Sequence, residues 1–450
     1  MDLALQRRLY QACDPAAALD PDDPRNVDLD GDDGGQGVRG DRWAESIADE
    51  VRLGGERPTL TLFTGLPGSG KTTELRRIKA RLAQGEEPLL AVIVDASESL
   101  SLSEPVDVVD VLAAILHGTE RAVLEAEGED PDAALRDGSM QRLWTWLTKT
   151  DVEFSRVEWG YGPAMMGAKL VTELKTRPTV RAQVREIVSR HLAAFVREVH
   201  DELERLSTRV KAVGSPRWRG LVVILDSLER VHALSDQLGA VLQAAERLFS
   251  AQREFLRLPV HALYTVPPAL YLRLRVDVRF LPMIKLADRS GERFAPGYAA
   301  ARRLIEARVT GSELNELFGA PSRAARVEAL IAASGGYPRE IVRLLQRCVA
   351  RHSELSRPGG FERVLSREVD QRRQIVRFAN AAEWLARVRR QRDLVVNGEQ
   401  ERALALQMLT ENVVLYYLND RGWFDVHPAV SGMDEVQRAL ESLERDGGAG

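Results

Sequence analysis

The sequence predicts an α/β fold, with a doubly wound parallel sheet, a long helical insertion and further helical regions after the sheet. Two observations lead to this prediction. Short apolar runs recur over the first two thirds of the chain, and stretches of helical periodicity separate them. Continuous apolar runs are typical of strands that are buried on both faces. Strands that alternate with helices indicate a parallel sheet with right-handed crossovers.

The composition excludes several classes of protein. Of the 450 residues, 44% are apolar and 29% are charged, which is a globular balance. Two cysteines, Cys13 and Cys348, are too few for a disulfide framework. No apolar run has the ~20 residues that a membrane helix needs, and the first residues lack a signal-peptide pattern. We therefore expect a cytoplasmic protein with no membrane partner.

The first 36 residues predict an acidic, extended segment, because eight aspartates and only one arginine lie between Cys13 and Asp33. Such a stretch has little apolar surface to bury. The pattern changes at Asp41. From there to Leu53, apolar residues recur at helical spacing and predict a short amphipathic helix.

Five apolar runs predict the strands of the sheet, in a domain spanning residues 37–288. They are Thr59–Thr64, Leu89–Asp95, Leu221–Asp226, Val260–Thr265 and Phe280–Leu286. Helices are predicted over Thr73–Gln84 and Leu234–Phe255. Residues 96–220 form an insertion with predicted helices over Val106–Glu127, Ala133–Thr148 and Val180–Val213. Within this insertion, residues 151–175 predict a β-hairpin.

The last third of the chain predicts a helical lid over residues 289–375 and a winged-helix-like domain over residues 376–450. The lid helices are Tyr298–Ala307, Gly311–Phe318, Pro321–Ala333 and Pro338–His352, followed by a long helical segment over Phe361–Val388. A helix over Glu399–Asn412 then precedes two apolar runs, Val413–Leu418 and Trp423–His427. Asn, Asp and Gly lie between these runs and favour a hairpin turn.

One motif predicts phosphate chemistry. Gly65–Thr72 (GLPGSGKT) matches G-x-x-x-x-G-K-[ST] in full, after a predicted strand and before a predicted helix. Glycines allow successive N–H groups to turn inward, and the helix N-terminus adds positive potential. We expect Lys71 to contact the β- and γ-phosphates and Thr72 to bind Mg²⁺. The predicted nucleotide-binding residues here are Gly65, Leu66, Pro67, Gly68, Ser69, Gly70, Lys71, Thr72 and Thr73.

Polar residues at the ends of two later strands extend this site. Asp226 ends the third strand, where a nucleotide-bound Mg²⁺ needs a carboxylate. Ser227 follows it, and the next acid is Glu229. We expect Glu229 either to act as the catalytic base or to complement a helix dipole at the surface. Thr265 ends the fourth strand and either senses the γ-phosphate or caps a turn.

Arginines are candidates for stabilising the negative charge that develops during phosphoryl transfer. Arg273, Arg275 and Arg279 could each act in trans from a neighbouring subunit or be ordinary surface residues. Arg339, at the start of a predicted helix, is the candidate for a contact within the chain. Many arginines also lie between Arg339 and Arg392. They predict either a surface that contacts DNA beside the winged helix or a set of internal salt bridges.

Together these features resemble the AAA+/STAND-type P-loop ATPases, a group that includes origin-recognition ATPases and bacterial STAND-like regulators. The resemblance covers about residues 37–430. Residues 226–230 (DSLER) are similar to the hhhhD-x-h-[DE]-R pattern, although Ser227 occupies a position where a catalytic base often stands. Residues 334–339 (SGGYPR) resemble the G-x-P signature and imply that Pro338 and Arg339 face the nucleotide. Residues 37–40 (GVRG) resemble the segment that brackets adenine, which implies contacts from Val38 and Arg39.

The resemblance implies that ATP and Mg²⁺ are the cofactors and that the protein is a switch with slow or partner-stimulated hydrolysis. Its partners would be further copies of the chain or an effector protein, and the setting would be bacterial defence. Two alternatives stay open from the sequence. One is a DNA-handling ATPase of the origin-recognition or transposition type. The other is a nucleotide-binding scaffold without useful turnover.

Overall fold

The computed structural model describes residues 1–30, 37–131, 138–150, 166–214, 217–228 and 238–447. The chain divides into two compact units. We call the first the helical unit; it consists of Met1–Trp43, Gly65–Glu74 and Leu281–Gly450. The second, the sheet unit, consists of Ala44–Thr64 and Leu75–Phe280. Within the described ranges, no helix combines the length and the apolar character that crossing a membrane requires.

The sheet has five strands in the order β2-β3-β4-β1-β5, which confirms the predicted α/β fold. The strands are β1 (Leu60–Gly65), β2 (Leu89–Asp95), β3 (Gly220–Asp226), β4 (His261–Thr265) and β5 (Arg279–Leu281). The pairs β1–β4, β2–β3 and β3–β4 are parallel. Strand β5 is shorter than the predicted Phe280–Leu286, because Pro282 has no N–H to continue the ladder.

Helices flank the strands of the sheet unit. They are Trp43–Gly54, Lys71–Leu82, Ala96–Ser99, Val108–Glu127, Ser139–Thr150, Met166–Thr176, Pro178–Ser189, Leu192–Val210 and Leu238–Phe249, with short 3₁₀ turns at Arg253–Leu256 and Pro268–Leu272. The central helix of the insertion begins at Val108, and its first nine residues are all buried. Residues 96–219 are helical wherever they are described, apart from their connecting turns.

One prediction for the insertion is wrong. The hairpin predicted over 151–175 is contradicted from residue 166 onward by the helix Met166–Thr176. Leu170, Val171 and Leu174 are buried at helical spacing, so this segment is an amphipathic helix. Residues 151–165 lie outside the described residues. The stretch predicted to be helical over Val180–Val213 contains two helices, which meet at Arg190 and His191.

The helical unit contains the end of the chain and an antiparallel hairpin, β6 (Val414–Leu418) and β7 (Gly422–Val426). Its helices are Leu3–Ala12, Ala295–Glu306, Gly311–Phe318, Arg323–Ser334, Pro338–Ala350, His352–Leu355, Gly360–Phe378, Ala382–Gln391, Glu399–Thr410, Pro428–Ser431 and Asp434–Gly447. The long helix predicted over Phe361–Val388 is interrupted near Asn380, which has a positive φ of 48°. The winged helix and the lid boundaries remain predictions.

The extended segment predicted for residues 1–36 is wrong at its beginning. Leu3–Ala12 is a helix whose Asp2 side chain accepts a hydrogen bond from the N–H of Leu5. Leu9 and Cys13 are completely buried in the core of the helical unit. The aspartates that suggested an extended chain begin only after this helix, at Asp14.

The segment after β5 joins three parts of the helical unit through backbone hydrogen bonds. The N–H of Met283 donates to the carbonyl of Tyr416 in the hairpin, at 2.9 Å. The N–H of Ile284 donates to Gly336 at 3.1 Å, and that of Lys285 donates to Val38 at 3.0 Å. These bonds hold the hairpin, the turn before the helix Pro338–Ala350 and the Val38 segment in one arrangement.

Candidate functional site

The loop Gly65–Thr72 connects β1 to the helix that begins at Lys71. Gly68 and Gly70 have φ values of 85° and 100°, which a side chain would disfavour. Within the described part of the chain, no hydrogen bond uses the N–H groups of Gly68 and Gly70. Because these donors lie at a helix N-terminus, the loop is suited to bind an anion.

Lys71 is buried and lies against this loop. Its Nζ donates to the carbonyl oxygen of Gly65 at 2.8 Å and to that of Leu66 at 3.4 Å. Thr72 and Thr73 follow in the first helical turn and are partly exposed. The buried Oγ of Ser69 has no hydrogen-bond partner. The Lys71 ammonium and the unpaired N–H groups of Gly68 and Gly70 thus belong to the same loop.

The start of the helix Pro338–Ala350, which we call the lid helix, contacts the loop. The hydroxyl of Tyr337 donates to the carbonyl oxygen of Pro67 at 2.7 Å. A Cβ on Gly68 would lie 2.6 Å from that hydroxyl oxygen and 2.8 Å from Cβ of Arg339. Burial raises the pKa of Tyr337, so its hydroxyl stays protonated as a donor. Nothing in the sequence pointed to Tyr337, because its partner is a backbone atom distant in the chain.

Arg339 therefore lies close to the loop, and the proposal that Pro338 and Arg339 face the nucleotide stays a prediction. Pro338 is the first residue of the lid helix. The side chain of Arg339 is exposed, and it has no hydrogen bond or ion pair with any described residue. It is available to a ligand at the loop. A contact with the nucleotide remains a proposal.

Arg39 lies at the centre of a buried ion triad. Its guanidinium donates to both carboxylate oxygens of Asp30, at 2.8 and 2.7 Å, and to Oε1 of Glu74 at 2.8 Å. Arg39 is completely buried, and Glu74 lies in the first turn of the helix that begins at Lys71. Val38 is also buried. The triad links the loop helix to the N-terminal segment, and the adenine contacts of Val38 and Arg39 stay predictions.

In the sheet unit, Asp226 and Thr265 end neighbouring parallel strands and are buried. Oδ1 of Asp226 accepts a 2.7 Å hydrogen bond from the N–H of Ser227. Oγ1 of Thr265 accepts one from the N–H of Leu228 at 3.3 Å, so the turn role predicted for this hydroxyl is present. Thr265 pairs in register with Phe63 of β1.

The turn after Asp226 carries a strained residue. Ser227 has a φ of 70°, and its buried Oγ has no hydrogen-bond partner. Glu229, the predicted base, lies outside the described residues. Its role therefore remains a prediction.

The other arginines have different surroundings. Arg273 pairs with Glu246 at 2.9 Å, and Arg279 pairs with Glu50. Arg275 is exposed and has no partner among the described residues.

Arginines 387–392 favour the salt-bridge alternative over a DNA surface. Arg387 pairs with Glu401, whereas Arg389 and Arg392 both pair with Asp425. Nη1 of Arg390 donates to the carbonyl oxygen of Leu443 at 2.7 Å.

Comparisons with known proteins give likenesses to several solved structures and to nothing else. No protein-family model matches the sequence, and no curated protein is significantly similar to it. A Walker-type ATPase of Pyrococcus abyssi is similar with a TM-score of 0.37 and 12% identity, over 88% of this chain and 95% of the other. The ORC2 protein of Aeropyrum pernix, in ADPNP–ADP complexes, is similar with a TM-score of 0.34 and 14% identity, over 89% and 93%. Both TM-scores are below 0.5, so neither likeness places this chain in a family.

Proposed function

We propose that this chain is a P-loop ATPase of the AAA+/STAND type that binds ATP with Mg²⁺ at Gly65–Thr72. One observation supports this proposal above all others. The loop between a buried strand and a helix presents the unpaired N–H groups of Gly68 and Gly70 beside the buried ammonium of Lys71. Such a cluster of donors at a helix N-terminus matches the charge and the oxygen atoms of a phosphate chain.

The residues present also fit Mg²⁺. Thr72 offers a hydroxyl and Asp226 a carboxylate, and hard oxygen ligands are those that Mg²⁺ prefers. Asp226 ends β3, where a carboxylate for nucleotide-bound Mg²⁺ is expected. Bound Mg²⁺ would neutralise charge on the phosphates.

In the proposed reaction, water attacks the γ-phosphorus and the bond to the β-phosphate oxygen breaks. Lys71 stabilises the charge on the β- and γ-phosphates. Glu229 orients the water and accepts its proton. Thr265 and Arg339 contact the γ-phosphate region. Because Ser227 occupies the position directly after Asp226 where a catalytic base often stands, we expect hydrolysis to be slow or dependent on a partner.

We propose further that the nucleotide state is transmitted through the lid helix. Tyr337 contacts the loop at Pro67, and the carbonyl of Gly335 accepts a 2.6 Å hydrogen bond from the hydroxyl of Tyr417 in β6. Loss of the γ-phosphate would alter the loop and thereby bias this turn and the hairpin. The partners that respond to this change would be other copies of the chain or an effector in trans. A role in bacterial defence is the biological setting that we propose.

Phosphate release from ATP tests the enzymatic part. We expect slow release that requires Mg²⁺, and we expect Glu229→Gln to retain nucleotide binding while lowering turnover. If the protein binds ATP but releases no phosphate at any concentration, and Glu229→Gln changes nothing, the scaffold alternative is correct. Stimulation by duplex DNA that disappears on neutralising Arg387, Arg389 and Arg390 would favour the DNA-handling alternative.

A further inference from the structure

A cleft of about 600 Å³ opens in the sheet unit at the amino-terminal edge of the sheet. Its walls include the first residues of three strands, namely Leu89, Gly220 and His261. The proposed Mg²⁺ ligand Asp226 ends β3 at the opposite edge. Since a seven-residue parallel strand spans about 20 Å, the cleft is a separate feature of the sheet unit.

Three of the cations that line this cleft have no partner among the described residues. Lys211, Arg217 and Arg219 are exposed, and their side chains make no hydrogen bond or ion pair with any residue that the structure describes. Arg52 also lines the cleft, and its Nη2 donates to two backbone carbonyls. The carboxylates in the lining are those of Glu56 and Glu87. The lining therefore has an excess of positive charge.

Trp218 lies between Arg217 and Arg219 in the sequence and also lines the cleft. Trp218 is half-buried, with part of its side chain packed against the core of the sheet unit. His261 does not add charge, because burial lowers its pKa and its ring atoms contact Thr59 and the carbonyl of Gly55. The cleft thus combines exposed cations with one indole that packs against the core.

We propose that this cleft binds single-stranded nucleic acid, with phosphates on Lys211, Arg217 and Arg219 and a base against Trp218. Cations combined with aromatic side chains are typical of proteins that bind single strands. A small anion is less well suited, because sites for small molecules enclose their ligand and direct a few placed polar groups at it. Here the unpaired cations are exposed along the rim, where an extended polyanion can reach all three.

Binding of a short fluorescein-labelled oligothymidylate by the full chain, followed by fluorescence anisotropy over a range of KCl concentrations, tests this proposal. Each phosphate contact to a single strand adds about 0.7 to the slope of log K against log salt concentration. We expect the double variant Arg217→Ala/Arg219→Ala to reduce the magnitude of this slope by about 1.4. Arg302→Ala is the matched control, because Arg302 is an exposed arginine outside the cleft without a described partner. It should leave the slope unchanged.

A second variant tests the aromatic contact. Trp218→Leu keeps an apolar side chain for packing and removes the ring, so we expect affinity to fall at least about fivefold. Its thermal unfolding is measured alongside, and Trp218→Phe should restore most of the affinity. The loop variant Lys71→Ala should bind the oligonucleotide as the wild type does, which separates this proposal from nucleotide binding at Gly65–Thr72.

Several results would overturn the proposal. These are no binding by the wild type at low salt, an unchanged slope in the double variant, or loss of oligonucleotide binding in Lys71→Ala. Equal affinity of the Lys71→Ala variant for thymidine triphosphate would assign the cleft to a small ligand. Equal competition by polyglutamate would assign it to an acidic peptide.

Discussion

The hydroxyl of Tyr337 donates a 2.7 Å hydrogen bond to the carbonyl oxygen of Pro67. This bond joins the residue before the lid helix to the middle of the glycine-rich loop. Two residues earlier, Gly335 accepts a hydrogen bond from Tyr417 of the hairpin. One short turn therefore contacts both the proposed phosphate site and the C-terminal hairpin. A conformational change in the loop can reach the hairpin through this turn.

Tyr337→Phe removes the hydroxyl and keeps the ring. We expect the free energy of unfolding to fall by about 1 kcal/mol, the usual net value of one hydrogen bond. Urea unfolding measures this change. Tyr298→Phe is the control, because the hydroxyl of Tyr298 makes no hydrogen bond with described residues. Equal losses in the two variants would show that the bond to Pro67 contributes nothing.

Gly68→Ala places a methyl group where the lid helix begins. Its Cβ would lie 2.6 Å from the Tyr337 hydroxyl oxygen, and the residue also has a positive φ. Gly319→Ala is the control, since Gly319 has a positive φ of 77° and open space around it. We expect Gly319→Ala to cost about 1 kcal/mol of backbone strain. Gly68→Ala should cost more and should also weaken ATP binding; equal costs in urea unfolding would contradict the close contact.

Asp30 gives a pH dependence with a defined sign. Burial raises its pKa from 3.8 to about 6, with Arg39 acting in the opposite direction and Glu74 and Asp28 adding to the rise. Between about pH 4 and pH 6 the folded state therefore binds more protons here than the unfolded state does. The contribution of Asp30 to stability is greatest below this window and declines as pH rises through it.

Over that window the free energy of unfolding of Asp30→Asn should fall less, or rise more, with increasing pH than that of the wild type. The check is a series of urea unfolding curves from about pH 4 to about pH 7. Loss of the bond to Arg39 shifts the stability of the variant at every pH, so the difference in slope is the readout. If plots of the free energy of unfolding against pH are parallel for the two proteins, the pKa of Asp30 is the same in the folded and unfolded states.

Much of this arrangement could be predicted from the sequence, and the successes share one cause. The buried run Leu89–Asp95 is a strand with the predicted bounds, and the loop motif lies between a strand and a helix as expected. Both signals are local. The bond from Tyr337 to Pro67 and the triad of Arg39 join residues far apart in the chain, and nothing in their spacing reveals them. The helix Leu3–Ala12 was missed because the acidic stretch after it dominated the composition of the segment.

Arg275 is the candidate for action in trans that the structure leaves exposed, since Arg273 and Arg279 pair within the chain. We expect ATPase activity per subunit to rise with protein concentration. Arg275→Ala should remove this rise without changing the thermal unfolding temperature, because no intrachain bond is lost. Arg279→Ala should lower that temperature. Activity that is constant over concentration, or a rise that Arg275→Ala retains, would contradict a trans role for this arginine.

Calorimetric titration of the wild type and of Lys71→Ala with a non-hydrolysable ATP analogue and Mg²⁺ tests the central claim most directly. Lys71 supplies the buried ammonium next to the unpaired N–H groups of the loop. We predict stoichiometric binding by the wild type and a loss of at least about a hundredfold in the variant, since an unpaired triphosphate charge costs several kcal/mol. Equal affinity of the two proteins, or no binding by the wild type, would contradict a nucleotide site at Gly65–Thr72.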